Sequence, residues 1–261
     1  MRKRYIYFIS LAAVSLCFAT PLYAQKKGGG SFKGSKGYNT WTELGLKGSF
    51  APNFFMNSNI LDDVNVKSPL SFGSGGGLKF GFNINQIHGI TVDAIYSSHS
   101  QKYKSENDSM SWSGKLQATY LEIPLMYRNF SELTYFEIGP QFSYLMGGSH
   151  TFTASSPSPA DSNISYTGDA GKARFNPYNF GAAIGFGTAM WSTDNVAVFL
   201  AFRATYSLLD MFSNTGKGGK EYPGYLFPGY NIKSDIAGYK PTNLFTAGFT
   251  LEINYNFQSY H

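Results

Sequence analysis

The sequence predicts an all-β fold, an eight-stranded antiparallel up-and-down transmembrane β-barrel. Three observations predict it. Eight segments alternate apolar and polar residues with period two. Their connections run long, short, long, short, long, short, long. After the first two dozen residues, no apolar run reaches the ~18 residues that a spanning helix needs. An even number of antiparallel strands, with long loops at one end and tight turns at the other, is the plan of a barrel that crosses a bilayer. Closure pairs every backbone N–H and C=O where no water can do so.

The elements begin with a leader. Arg2, Lys3 and Arg4 precede an apolar run from Tyr5 to Ala19, and Leu22-Tyr23-Ala24 ends on a small residue before Gln25. That order of charge, apolar run and small exit residue predicts a secretory signal peptide over residues 1–24. Cys17, the single cysteine, falls inside it, so the mature chain has no disulfide and no cysteine site. Residues 25–39, rich in lysine and glycine, are expected to form a flexible periplasmic tail. The barrel domain is expected over residues 40–257.

The strands follow as Thr40–Ala51, Gly75–Asn85, Gly89–Ser98, Trp112–Arg128, Thr134–Met146, Tyr178–Met190, Asn195–Leu209 and Asn243–Phe257. Leu78, Phe80, Phe82 and Ile84 alternate with Lys79, Gly81, Asn83 and Asn85 in the second. In the last, Phe245, Phe249, Leu251, Ile253 and Tyr255 alternate with Thr246, Gly248, Thr250, Glu252 and Asn254. Side chains swap faces at each strand residue, so every segment has an apolar and a polar side. In the fourth segment the phase slips between Tyr120 and Leu121, which predicts a β-bulge there. Pro124 lies just beyond it, where the ladder is already disturbed, and a lumen plug built on Glu122 and Pro124 is the sharper reading of that kink.

Composition limits the rest. Aromatic residues make up 17% of the chain and charged residues 14%, the balance of a lipid-facing wall rather than of a nucleic-acid-binding domain. Arg2, Lys3 and Arg4 leave with the leader, so 18 Lys and Arg face 16 Asp and Glu in the mature chain. Alternation alone does not say which face is inside, because a soluble ligand-binding barrel would turn its apolar face inward. The distribution of charge favours the inverted arrangement. Glu43, Lys47, Lys79, Asp93, Glu122, Arg128, Glu137, Arg203 and Glu252 all lie on the polar faces and are expected to form a lumen charge network. Trp41, Tyr96, Trp112, Tyr127, Tyr135, Tyr144, Trp191, Tyr206 and Tyr255 lie near strand ends and are expected in two interfacial girdles. A tight turn over Asn129–Leu133 sets Arg128 opposite Glu137 and Tyr127 opposite Ile138.

The segment Tyr120-Leu121-Glu122-Ile123-Pro124-Leu125-Met126-Tyr127 resembles the signature of the PorT-like outer-membrane β-barrel family of Bacteroidota. Leu44 to Gly48, Phe136 to Pro140, Phe199 to Leu209 with Arg203 and Tyr206, and Asn254 to Phe257 resemble its other strands, in the family's order. Leu208 replaces a usual glycine, and the chain runs past Phe257 to His261. The resemblance implies a cell outer-membrane location with both termini periplasmic. It implies no biochemical activity, because the family is broad: one branch serves type IX protein secretion and most members have no assigned role. The structural or interaction role expected here therefore rests on the residues described next.

A catalytic set is not legible. His88, His99, His150 and His261 form no metal or protease motif, though His99 and His150 fall where an outer rim is expected, near Asp108 and Asp161. The cluster Gly73-Ser74-Gly75-Gly76-Gly77 lacks a phosphate-loop Lys and reads as a flexible entry to the second strand. Gly147–Pro177 reads as a mobile hydrophilic loop. Asp108-Ser109-Met110 resembles a glycosylation site. Tyr222, Tyr225, Phe227 and Tyr230, in a near-repeat of aromatic-Pro-Gly, make a candidate partner loop. The expectation is therefore a non-enzymatic monomer without cofactor, metal or nucleic acid. It contacts outer-membrane lipid and other envelope or secretion-system proteins. A small-solute channel and an outer-membrane enzyme are the alternatives.

Overall fold

Strict alternation of β-favouring apolar residues with small or polar ones builds long strands that bend into a closed wall. The structure, a computed structural model, describes residues 40–58, 66–84, 87–107, 110–131, 133–155, 162–193, 195–213 and 240–258. The leader, the 25–39 tail, Asp108, Ser109, Asp161 and the partner-loop residues Tyr222, Tyr225, Phe227 and Tyr230 lie outside the described residues.

The strands are β1 (Trp41–Met56), β2 (Val66–Lys67), β3 (Ser71–Asn83), β4 (His88–Asn107), β5 (Met110–Ser131), β6 (Thr134–Ser155), β7 (Ser162–Tyr166), β8 (Tyr178–Ser192), β9 (Val196–Ser207) and β10 (Asn243–Gln258), with helix α1 (Gly168–Lys172) between β7 and β8. Eight of them form a ring in the order β1-β3-β4-β5-β6-β8-β9-β10, and β10 pairs back onto β1, all antiparallel. β2 adds to the far end of β4 and β7 to the far end of β6. The ring has a turn end and a loop end, and β4, β5 and β6 rise past the ring at the loop end as a tower.

The apolar face points outward. Leu44, Leu46, Leu78, Phe80, Phe82, Ile138, Phe249 and Leu251 are exposed, whereas Glu43, Lys47, Lys79 and Glu252 on the alternate positions are buried. An apolar outer band around a polar interior is the arrangement for lipid, not for a soluble barrel.

Four expectations are corrected by the strands. The glycine cluster Gly73–Gly77 is part of β3, and much of Gly147–Pro177 is β6, β7 and α1 rather than a mobile loop. Trp41 and Tyr135 are buried inside the turn end rather than standing in a girdle. The slip at Tyr120 is not a bulge in β5. Leu116, Ala118 and Tyr120 keep the same inward parity as Glu122, Met126 and Arg128. What changes is the chemistry of the interior, apolar at the loop end and ionic deeper in. The extra residue sits across the ladder, because Thr119 pairs Gly147 while Tyr120 pairs Leu145, leaving Met146 unmatched in β6.

Candidate functional site: a closed lumen

Inward positions form an apolar floor, an ionic layer, a polar step at His99 and Glu122, and an apolar roof. At the turn end Phe130, Tyr135, Ala197, Phe199 and Ala201 make an apolar floor, with Trp41 against Phe130 at 6.3 Å between ring centroids. At the loop end Phe55, Tyr103, Leu116, Tyr120, Leu145, Phe175, Met211, Phe212 and Leu244 make an apolar roof. Phe175 stacks on Phe212 at 5.5 Å. The Asn176 side-chain amide donates to the carbonyls of Asp210 and Phe212, holding that segment over the lumen.

Above the floor lies an ionic layer built from seven of the eight ring strands. Lys47 Nζ contacts Asp93 at 2.5 Å and Glu252 at 2.9 Å. Lys79 Nζ contacts Glu43 at 2.8 Å and Glu252 at 3.1 Å. The Arg128 guanidinium reaches Glu137 and Glu252, each at 2.8 Å, and stacks 4.0 Å over the Tyr135 ring. Arg203 bridges Glu137 at 2.6 Å and Asp93 at 3.1 Å. The Tyr135 hydroxyl donates to Glu252 at 3.0 Å. Four cations thus meet four anions, and none of these side chains is more than 8% exposed. Buried charge is tolerated only when paired and hydrogen-bonded, and this layer is neutral as a unit.

Space for the long side chains comes from glycine across the ladder. Gly81 faces Glu43, Gly45 faces Lys79, Gly89 faces Arg128, and Gly185 lies between Glu137 and Arg203. A methyl on Gly185 would come within 2.7 Å of a Glu137 carboxylate oxygen.

Of the nine charges expected in the lumen, eight join this layer and Glu122 does not. It pairs with His99 Nε2 at 2.9 Å, one step toward the loop end, beside a cavity of about 40 Å³ lined by Ser97, Gln141, Thr205, Thr246 and Thr250 among others. Pro124 faces inward, and the β4–β5 register skips Asp93 and Ala94 opposite Pro124 and Ile123. The proline therefore sits where its missing donor breaks one ladder locally. His99 and His150 are both buried, neither on an open rim. Ser97, His99 and Glu122 do not form a relay. The Ser97 hydroxyl, at 3.1 Å, and Glu122 share the same ring nitrogen, whereas a serine–histidine–acid relay needs one on each nitrogen.

Sequence reasoning left Tyr135 and His99 out of the interior. Parity would have found them, since Tyr135 is two residues from Glu137, and His99 is six from Asp93, on the same face.

Residues 23–213 match a family model described as outer membrane protein beta-barrel domain. No curated protein matches the chain. Among solved structures the chain is similar to the outer membrane protein OprG from Pseudomonas aeruginosa, at 11% identity over 85% of this chain and 97% of that one, with a TM-score of 0.37. It is also similar to Ail, the attachment invasion locus protein of Yersinia pestis, at 12% identity over 83% and 99% of the two chains, with a TM-score of 0.35. Neisserial surface protein A shares 12% identity over 81% and 96%, with a TM-score of 0.33.

Proposed function

The chain belongs to the outer membrane protein beta-barrel domain family, and we propose that within it the protein is a closed-lumen structural or interaction component, not a channel and not an enzyme. Its termini face the periplasm and its tower faces outward. The observation that carries this reading is the neutral ionic layer held between an aromatic floor and an aromatic roof. An ion entering the bore would have to displace paired, desolvated charges, which is costly in a low-dielectric interior. In planar bilayers the purified protein is expected to give no single-channel steps. Regular conductance at moderate voltage would replace the interaction reading with the channel.

The convergence of Ser97 and Glu122 on one nitrogen of His99 supports a non-enzymatic role. The Tyr120–Tyr127 segment, by its resemblance to PorT-like proteins, supports a place in protein secretion or envelope assembly. With wall and lumen used for closure, partner contact falls to the loops. Deleting residues 222–230 is expected to leave the heat-modifiable barrel band intact on gels, since shortened surface loops are tolerated when their ends stay fixed. The same deletion should fail to complement whatever export or envelope defect loss of the full-length protein causes. A deletion that complements fully removes this loop as the partner surface.

A further inference from the structure

The outer face of the tower carries a lysine cluster that no protein group neutralises among the described residues. Lys67 stands directly across from Lys104 in the β2–β4 ladder, and Lys102 directly across from Lys115 in the β4–β5 ladder. All four are exposed, and none takes part in ion pairs of the kind that Lys47, Lys79, Arg128 and Arg203 make in the lumen. Lys102 and Lys104 share one face of β4, so the two like-charged pairs are neighbours in the sheet. Cross-strand pairs have Cβ atoms about 5 Å apart, and like charges so placed destabilise a sheet. Glu106 is the next same-parity position of β4, opposite Ser111. An anion bridging the two pairs would relieve that repulsion.

Height selects the anion. On β4 the outward apolar row ends at Tyr96, and on β5 it ends at Leu121, directly opposite. Beyond that level the outward positions are Ser98, Ser100, Thr119 and Gln117, and then the lysines. Lys102 is six residues past Tyr96, about 20 Å along the strand, or roughly 15 Å of height after barrel tilt. Phospholipid headgroups extend only about 5–8 Å beyond the hydrocarbon. The cluster also faces sideways, toward molecules of the same membrane.

From this we infer that Lys67, Lys102, Lys104 and Lys115 form a site for the anionic, phosphate-bearing sugars of a large-headgroup glycolipid in the surrounding outer leaflet. Hydroxyl and amide groups at Ser113 and Gln117 stand beside the lysines on β5 and supply hydrogen bonds to sugar. The site is independent of lumen closure but rests on the orientation proposed above.

Native mass spectrometry of the full chain in mild detergent with rough lipopolysaccharide tests it. Bound glycolipid should survive on the wild type. The combined Lys67→Gln, Lys102→Gln, Lys104→Gln and Lys115→Gln variant should bind at least tenfold more weakly, because each base at an anionic membrane surface contributes about fivefold. The four-arginine variant should restore binding, and both should keep the wild-type heat-modifiable band. Dephosphorylated lipopolysaccharide should fail to bind. Undiminished binding by the glutamine variant overturns the site, as does equal retention of phosphatidylglycerol, which is anionic but small. Binding of soluble dextran sulfate without binding of the glycolipid overturns the membrane source. Separately, Ser113→Cys in intact cells should react with an impermeant maleimide. Its failure to do so would overturn the orientation itself.

Discussion

Arg128→Met is expected to destabilise the folded barrel by about 3–5 kcal/mol, the cost of leaving buried charge without its partner. Arg128 is fully buried and touches Glu137 and Glu252 while stacking on Tyr135. The substitution keeps much of the volume and removes the charge. It leaves four carboxylates facing three cations in a layer whose side chains are at most 8% exposed. Urea titration of protein refolded into vesicles, read by the unheated gel band, measures the loss. In a cycle with Glu252→Gln, the double variant restores three against three. The coupling should then be about 1–3 kcal/mol in favour of the pair. Coupling of a few tenths of a kcal/mol would mean that this contact does not operate in the bilayer.

The layer does not thereby make the protein more stable than an apolar interior would. Buried ion networks are often neutral or worse against packed hydrophobic side chains. They are demanding about register, however. A one-residue slip of any strand sends its charges to the lipid face, where a base at midplane costs about 2–4 kcal/mol. The ionic layer thus disfavours every misregistered closure of a wall whose outer face, being uniformly apolar, discriminates poorly among registers.

Local rules carry sequence to structure only part of the way. Period-two alternation locates all eight wall strands, and the short turn after Asn129 sets Arg128 opposite Glu137, because hairpin register follows from turn length. Lys79 with Glu252, or Arg203 with Asp93, cannot be read that way. Their strands are not neighbours in the ring, and the pairs form only when barrel curvature brings them across the bore. Where the lumen stops being polar is equally hidden. Leu116, Ala118 and Tyr120 look like a lipid-facing row that has slipped, yet they roof the interior. Above the membrane an apolar side chain gains by turning inward, and below that level by turning outward. Alternation is the same in both regimes. Closeness to strand ends points Trp41 and Tyr135 toward girdles, yet they floor the lumen because they share parity with Glu43 and Glu137.

Gly139→Ala is expected to cost about 2–3 kcal/mol, while Gly48→Ala stays within about 0.5 kcal/mol of the wild type. The two substitutions add the same methyl to strands of the same wall. At Gly139 an added Cβ would overlap the carbonyl oxygen of Leu125, a backbone atom with no rotamer to escape through. Pro140 follows, and the β5–β6 register skips Leu125 and Met126 there, because proline has no N–H to give the ladder. The strands compensate by close approach at the glycine. Forcing them apart would strand further backbone groups inside the membrane, where each unsatisfied one is costly. At Gly48 nothing lies within 4 Å of the added methyl, and the position points out. Refolding yield into vesicles and the urea midpoint of each variant decide the matter. Equal midpoints for the two would show that the wall beside Pro140 has slack, and that the glycine there is not what allows a proline in a spanning strand.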